Sequence, residues 1–215
     1  GKFYLIISNH RSWSDILILQ HLFGHRAPVL KFLVKRELLF LPIVGFICWA
    51  YDYPFLKRRS IKGSQTQKGT FRKDIWRIEK ALGKFNRYPA AVVNLVEGSR
   101  FTKEKAIKQG SPYRHLLKPK AGGLMSIIEC LGNRIDGVLD ITIVYACPEP
   151  NFWQFLCGKC KQVAVRIKEY DRETVSNKQN FHELSAWLNG IWAQKDLDIA
   201  FLRGSFPEPD QGFLK

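Results

Sequence analysis

Asn9-His10-Arg11-Ser12-Trp13-Ser14-Asp15 follows directly on the apolar run of residues 3–8, Phe-Tyr-Leu-Ile-Ile-Ser. The run is short, aromatic and β-branched, with no internal breaker, and reads as a buried strand. Ser12 and Ser14 are both suitable N-caps for the apolar helix expected over residues 16–22. His10 therefore sits where a strand ends and Asp15 in the first turn of a helix. On one helix, five residues would separate them by about 140° around the axis. They meet only if His10 precedes the helix and the turn folds it back over the first helical turn. In that geometry a carboxylate holds the Nδ1 proton and leaves Nε2 free as a base. A His and an Asp five residues apart usually mean nothing, but a strand-to-helix junction is where α/β proteins place ligands.

Working outward, the same pattern recurs. Residues 90–96 form a second buried strand, preceded by Pro89, and deliver Glu97-Gly98-Ser99-Arg100 at its end. Gly98 permits close backbone approach or positive φ, and Arg100 offers a planar fork for a phosphate. Ser99 lacks the Gly-x-Ser-x-Gly frame of a hydrolase elbow. Further strands are expected over residues 28–34, 137–145 and 160–169. Helices are expected over residues 71–85, 121–131 and 181–202, the last stopped by Gly204. Residues 63–69 read as a polar linker and residues 101–118 as a basic, irregular flap. The alternation of strands and helices predicts an α/β fold, a single domain with a mostly parallel central sheet flanked by helices.

The 215 residues suffice for one domain with a substantial core, and 46% hydrophobic residues exclude disorder. With 34 basic against 19 acidic residues the formal net charge is +15. The excess is not spread evenly: residues 57–120 hold 18 of the basic and 4 of the acidic residues. Such a block attracts polyanions, whether nucleic acid, anionic lipid or a phosphate-bearing substrate. No helix-turn-helix, RNA-recognition or zinc-finger signature accompanies it, so no nucleic-acid partner is expected. The five cysteines, Cys48, Cys130, Cys147, Cys157 and Cys160, are odd in number and irregularly spaced, which favours a reducing compartment. Cys157 and Cys160 form a Cys-x-x-Cys without further ligands at finger spacing, so the pair is structural or incidental and no metal is expected.

Residues 38–51 carry no charge until Asp52 and contain Pro42 and Gly45. Fourteen residues are too few to span a bilayer as a helix, which needs about twenty. They suit either a buried core helix or an interfacial one. In the second case Lys35 and Arg36 lie at the headgroups and Phe40, Phe46 and Trp49 dip into acyl chains. The basic flanks favour the interfacial form.

Asn9-His10-x-Ser12-x-x-Asp15 and Glu97-Gly98-Ser99-Arg100, in this order and separation, resemble the two signature boxes of the PlsC-like glycerolipid acyltransferases, the 1-acylglycerol-3-phosphate O-acyltransferase family. Phe55 and Arg58 resemble the family's intervening substrate box, with Lys57 in place of its usual acid. Lys120-Ala121-Gly122 resembles the Lys-x-Gly that follows the second box. Val96 stands where the family usually has Pro before the Glu, and Asp140 where a fourth box has Pro, so no role is carried to Asp140. The chain looks most similar to the YihG-like bacterial inner-membrane acyltransferases.

The resemblance implies transfer of a fatty acyl group from a CoA or acyl-carrier-protein thioester to the free hydroxyl of a lysophospholipid, with no further cofactor. 1-Acylglycerol 3-phosphate is the implied acceptor and phosphatidic acid the product. His10 and Asp15 are then the catalytic pair. Asn9, Ser12, Lys57, Arg58, Glu97, Gly98, Ser99, Arg100 and Lys120 are the implied substrate-binding residues, with Glu97 anchoring either Arg100 or a glycerol hydroxyl. The implied partners are the lysophospholipid, the acyl thioester, acyl carrier protein as one donor, and an anionic membrane surface on the cytoplasmic face of a bacterial inner membrane. Relatives of this kind carry hydrophobic helices ahead of the His box, so residues 1–215 are expected to be the acyltransferase domain of a longer protein.

Overall fold

The uncharged runs at Phe3–Ser8 (β1) and Ala90–Leu95 (β5) lie side by side and parallel, with Phe3 opposite Ala90 and Ser8 opposite Leu95. In the computed structural model, which describes residues 2–24, 29–35, 40, 42–50, 53, 55–56, 90–147, 151–177 and 180–206, these strands form the middle of a five-stranded sheet. Val29–Phe32 (β2) flanks β5, and Gly137–Tyr145 (β6) flanks β1, both in parallel. Val163–Asp171 (β7) closes the edge antiparallel to β6. The order is β2-β5-β1-β6-β7. Central parallel strands are covered on both faces, which is why β1 and β5, apart from Ser8 and Asn94, are apolar runs and not alternating. The edge strand β7 does alternate between half-buried and exposed positions toward its end.

Residues of β1 divide between two cores by the period-2 rule. Leu5 and Ile7 face Ala121–Leu131 (α4) and the 24-residue helix Phe181–Gly204 (α7), packing with Leu124, Ile127, Leu188 and Trp192. Ile6 faces the other way, toward Leu19 and Phe23 of Ser14–Phe23 (α1) and Cys48 of Pro42–Ala50 (α2). The expected α/β single domain with a mostly parallel sheet is the observed architecture.

Several local expectations are corrected. Trp13, not Ser12 or Ser14, occupies the N-cap of α1, and it makes no side-chain cap. The expected strand over residues 28–34 breaks at Leu33, whose N–H bonds the Val93 carbonyl. The chain then pairs Val34–Lys35 (β3) with Phe55–Leu56 (β4) in a separate parallel ladder. The basic stretch after Arg100 is not irregular throughout. Thr102 caps Lys103–Gln109 (α3) by accepting the Lys105 N–H, and Gly110 at φ 55° ends it. Gly204 is the last residue of α7, and Ser205 follows as its C-cap. Two short helices, Phe152–Leu156 (α5) and Arg172–Ser176 (α6), have no counterpart among the sequence expectations.

Cys160 is disulfide-bonded to Cys147, while Cys157 is exposed and free. The antiparallel pairing of Tyr145 with Val163 brings the two half-cystines together, against the expectation that the cysteines stay reduced. Asp140, at the position where no role was assigned, pairs with Lys195 of α7 at 2.5 Å. Lys195 is fully buried and also donates to the Ile141 carbonyl and Thr142 Oγ1. Burial pushes Asp140 up and Lys195 down, and their mutual attraction opposes both shifts. The linker over residues 63–69 and the helix over 71–85 lie outside the described residues. Among the described residues no helix is long and apolar enough to cross a membrane.

Candidate active site at the carboxyl ends of β1 and β5

The parallel pairing of β1 with β5 puts both signature turns at the same edge of the sheet. Asn9 follows β1 and is fully buried. Its amide donates to the Ile143 carbonyl at 2.9 Å and accepts the Ile143 N–H at 2.8 Å. Both polar groups of Asn9 are thus committed to β6, and the side chain pins the turn from beneath instead of facing a substrate. The turn then reverses through Ser12 and Trp13, whose carbonyls accept from Asp15 N–H and Ile16 N–H. Ser12 is buried too: its N–H donates to Asp15 Oδ2, and its hydroxyl lies 3.2 Å from that of Ser14.

This reversal brings His10 Nδ1 to 2.8 Å from Asp15 Oδ2. The carboxylate is fully buried, while the imidazole keeps 14% of its surface exposed. Oδ2 also accepts the N–H groups of Arg11 and Ser12 at 2.7 and 3.0 Å. The opposite oxygen, Oδ1, accepts the Tyr145 hydroxyl at 2.5 Å. A carboxylate fixed on both oxygens can only accept from the imidazole, so the proton sits on Nδ1 and Nε2 is left as the basic nitrogen.

The second turn locks onto the first. Glu97 is fully buried, and its two oxygens accept the backbone N–H of His10 at 2.9 Å and of Leu117 at 2.8 Å. It therefore anchors neither Arg100 nor a ligand hydroxyl but the backbone of the His turn. Burial pushes its carboxyl up to about 8, against the pull of those two amides and of Arg11. The Phe101 N–H donates to the His10 carbonyl at 2.8 Å, and the Arg11 guanidinium stacks 4.5 Å from the Phe101 ring centre. Gly98 adopts φ 66°, and the Lys120 side chain crosses it so closely that a Cβ there would lie 3.3 Å from Nζ. Arg100 is exposed, its guanidinium 5.7 Å from the Trp13 ring centre, and Ser99 is half-buried in the turn. The structure thus gathers His10, Asp15, Gly98, Ser99, Arg100 and Lys120 around one edge and places Asn9, Ser12 and Glu97 in the layer that supports them. Lys57 and Arg58 lie outside the described residues.

Residues 1–146 match the family described as Acyltransferase. The chain belongs to the acyltransferase family. It is 26% identical over 221 residues to 1-acyl-sn-glycerol-3-phosphate acyltransferase 2 of Brassica napus, covering 94% of this chain and 53% of that protein. It is 26% identical over 220 residues to the delta enzyme of that name from Mus musculus, covering 95% and 54%. To the gamma enzyme of Homo sapiens it is 25% identical over 190 residues, covering 82% and 47%. The chain spans about half the length of the curated relatives it matches.

In this member of the acyltransferase family two apolar features accompany the polar edge. A groove of about 410 Å³ runs between Leu17, Ile18, His21 and Leu22 of α1 and Phe155, Val163 and Val165. On α2, Cys48 turns inward while Phe46 and Trp49 remain 65% and 67% exposed, with Phe40 81% exposed nearby. Sequence reasoning missed Tyr145, which stands 130 residues from the carboxylate it contacts, and no local signal marks it.

Proposed function

We propose that this protein is a 1-acylglycerol-3-phosphate O-acyltransferase, moving a fatty acyl group from a CoA or acyl-carrier-protein thioester to the free hydroxyl of a lysophospholipid. The observation that carries it is the His10 Nδ1–Asp15 contact at 2.8 Å, in a turn whose His10 N–H is held by Glu97 of the second box. Nε2 takes the proton of the acceptor hydroxyl as its oxygen attacks the thioester carbonyl. Asp15 holds the tautomer and stabilises the imidazolium that forms. When the tetrahedral adduct collapses, the C–S bond breaks and the imidazolium returns the proton to the departing thiolate. The substrate's own alcohol is the nucleophile, so no acyl-enzyme is needed.

Arg100 and Lys120 hold the phosphate of the acceptor, together with Arg58 and Lys57 of the intervening box, and so set the alcohol against Nε2. The α1 groove offers an apolar wall for an acyl chain. The exposed aromatic residues of α2 and the cationic block support a reading in which the protein works at an anionic membrane surface, on the cytoplasmic face of a bacterial inner membrane.

The test is thin-layer chromatography of lysophosphatidic acid incubated with labelled acyl-CoA or labelled acyl carrier protein. Labelled phosphatidic acid is expected with wild type and not with His10→Ala. No product from either donor would overturn the assignment.

A further inference from the structure

The Tyr145 hydroxyl is the donor to Asp15 Oδ1, the carboxylate oxygen that faces away from the imidazole. Tyr145 is the last residue of β6 and is 3% exposed. Its ring packs edge-on against Phe155 at 6.3 Å, and the Ser14 side chain is a further hydrogen-bonding neighbour of its hydroxyl. We propose that Tyr145 is a positioning residue for the His10–Asp15 pair: its hydroxyl fixes the plane of the Asp15 carboxylate and draws charge from it, setting how strongly Asp15 holds the proton on His10 Nδ1. This rests on the proposed function insofar as the pair is the base of an acyl transfer.

The physical grounds are two. A carboxylate anchored only at Oδ2 can turn about its terminal torsion, which is broad and roughly two-fold. Three donors already crowd Oδ2, and a fourth at Oδ1 stops that rotation. Second, every hydrogen bond given to a carboxylate lowers the charge it offers its other partners. Burial, with the Asp15 charge beside it, pushes the Tyr145 phenol far above its ordinary range, so it stays a donor at any working pH. The other charged groups facing the pair are Arg11 from the same turn and Glu97 from the turn after β5.

A buried tyrosine that had merely found an acceptor would leave His10 unaffected when replaced. The experiment is therefore a titration of the His10 ring by ¹⁵N NMR in the wild type and in Tyr145→Phe, with His10→Gln identifying the signal, alongside kcat and KM for both substrates. Removing the hydroxyl should leave more charge on Asp15. The His10 midpoint then moves to higher pH, and kcat falls by about 10- to 100-fold with both KM values unchanged. 3-Fluorotyrosine at position 145, a stronger donor of nearly the same shape, should move the midpoint the opposite way, and it serves if Tyr145→Phe does not fold. A His10 titration unchanged in these variants would overturn the inference. A shifted midpoint in a protein inactive toward lysophosphatidic acid would uphold the coupling and reject the proposed function instead.

Discussion

The Glu97 carboxyl accepts the backbone N–H of His10 at 2.9 Å while its other oxygen holds Leu117, so a residue of the second signature turn fixes the first. The two boxes are 87 residues apart in sequence and one hydrogen bond apart in space. Glu97 thereby holds the backbone of the turn that carries His10.

Its carboxyl is raised by burial to about 8, from 4.5, which gives stability a defined pH dependence. The folded state binds this proton more tightly than the unfolded chain does. The associated stability is complete below about pH 4.5 and is lost as the pH rises through about 8. Glu97→Gln keeps the shape, removes the ionisation and leaves only one oxygen for two amide donors. Thermal unfolding measured from pH 5 to 9 should show a lower melting temperature for Glu97→Gln at pH 5, with the difference shrinking toward pH 9. A constant difference across that range would show that the carboxyl does not titrate there.

Removing the general base or its partner should abolish turnover without unfolding the chain. His10→Ala and Asp15→Asn are expected to lose about 10²- to 10⁴-fold in kcat. Asp15→Asn also leaves the N–H groups of Arg11 and Ser12 facing one amide oxygen, so circular dichroism must accompany the rates. Wild-type activity in His10→Ala would sink the mechanism.

Arg100 is expected to act in capture of the phosphate. Arg100→Ala should raise KM for lysophosphatidic acid by about tenfold or more, since it removes a charge-assisted bidentate contact. Arg100→Lys should recover only part of this, because an ammonium keeps the charge and loses the fork. If Arg100→Ala used lysophosphatidic acid as well as wild type does, Arg100 would have no place in the site.

Attachment to anionic membranes is testable by liposome sedimentation at low and high salt. Each basic group near such a surface adds about 1 kcal/mol, and the effect fades within a Debye length. Binding to vesicles containing anionic lipid should therefore weaken with salt. Phe46 and Trp49 lie three residues apart on α2 with ring centres 6.0 Å apart, and both are exposed. Phe46→Ser with Trp49→Ser should reduce binding further. Equal binding to neutral and anionic vesicles would remove the cationic block from the account.

What could be read in the sequence was whatever neighbouring residues determine among themselves. Uncharged β-branched runs such as residues 3–8 and 90–95 announced strands buried on both faces, and the apolar stripe over residues 181–202 announced a helix. The polar turns after those strands marked the sheet edge at which the two boxes meet. The His10–Asp15 contact was legible for the same reason, being closed within a single turn.

Tertiary structure alone decided which polar residues of the two turns are buried in hydrogen bonds to the backbone and which remain toward the surface. Asn9 and Glu97 belong to motifs that read as substrate contacts, yet their hydrogen bonds go to Ile143, His10 and Leu117. The sheet order β5-β1-β6 sets the ends of three strands beside one another, which brings Asn9 to Ile143, Asp15 to Tyr145 and Glu97 to His10. Propensity and periodicity register a residue's neighbours over a turn or two. Hydrogen bonds between residues 87 to 134 positions apart come into being only once the hydrophobic effect has stacked the strands, and buried polar atoms must then take the partners that the stacking provides.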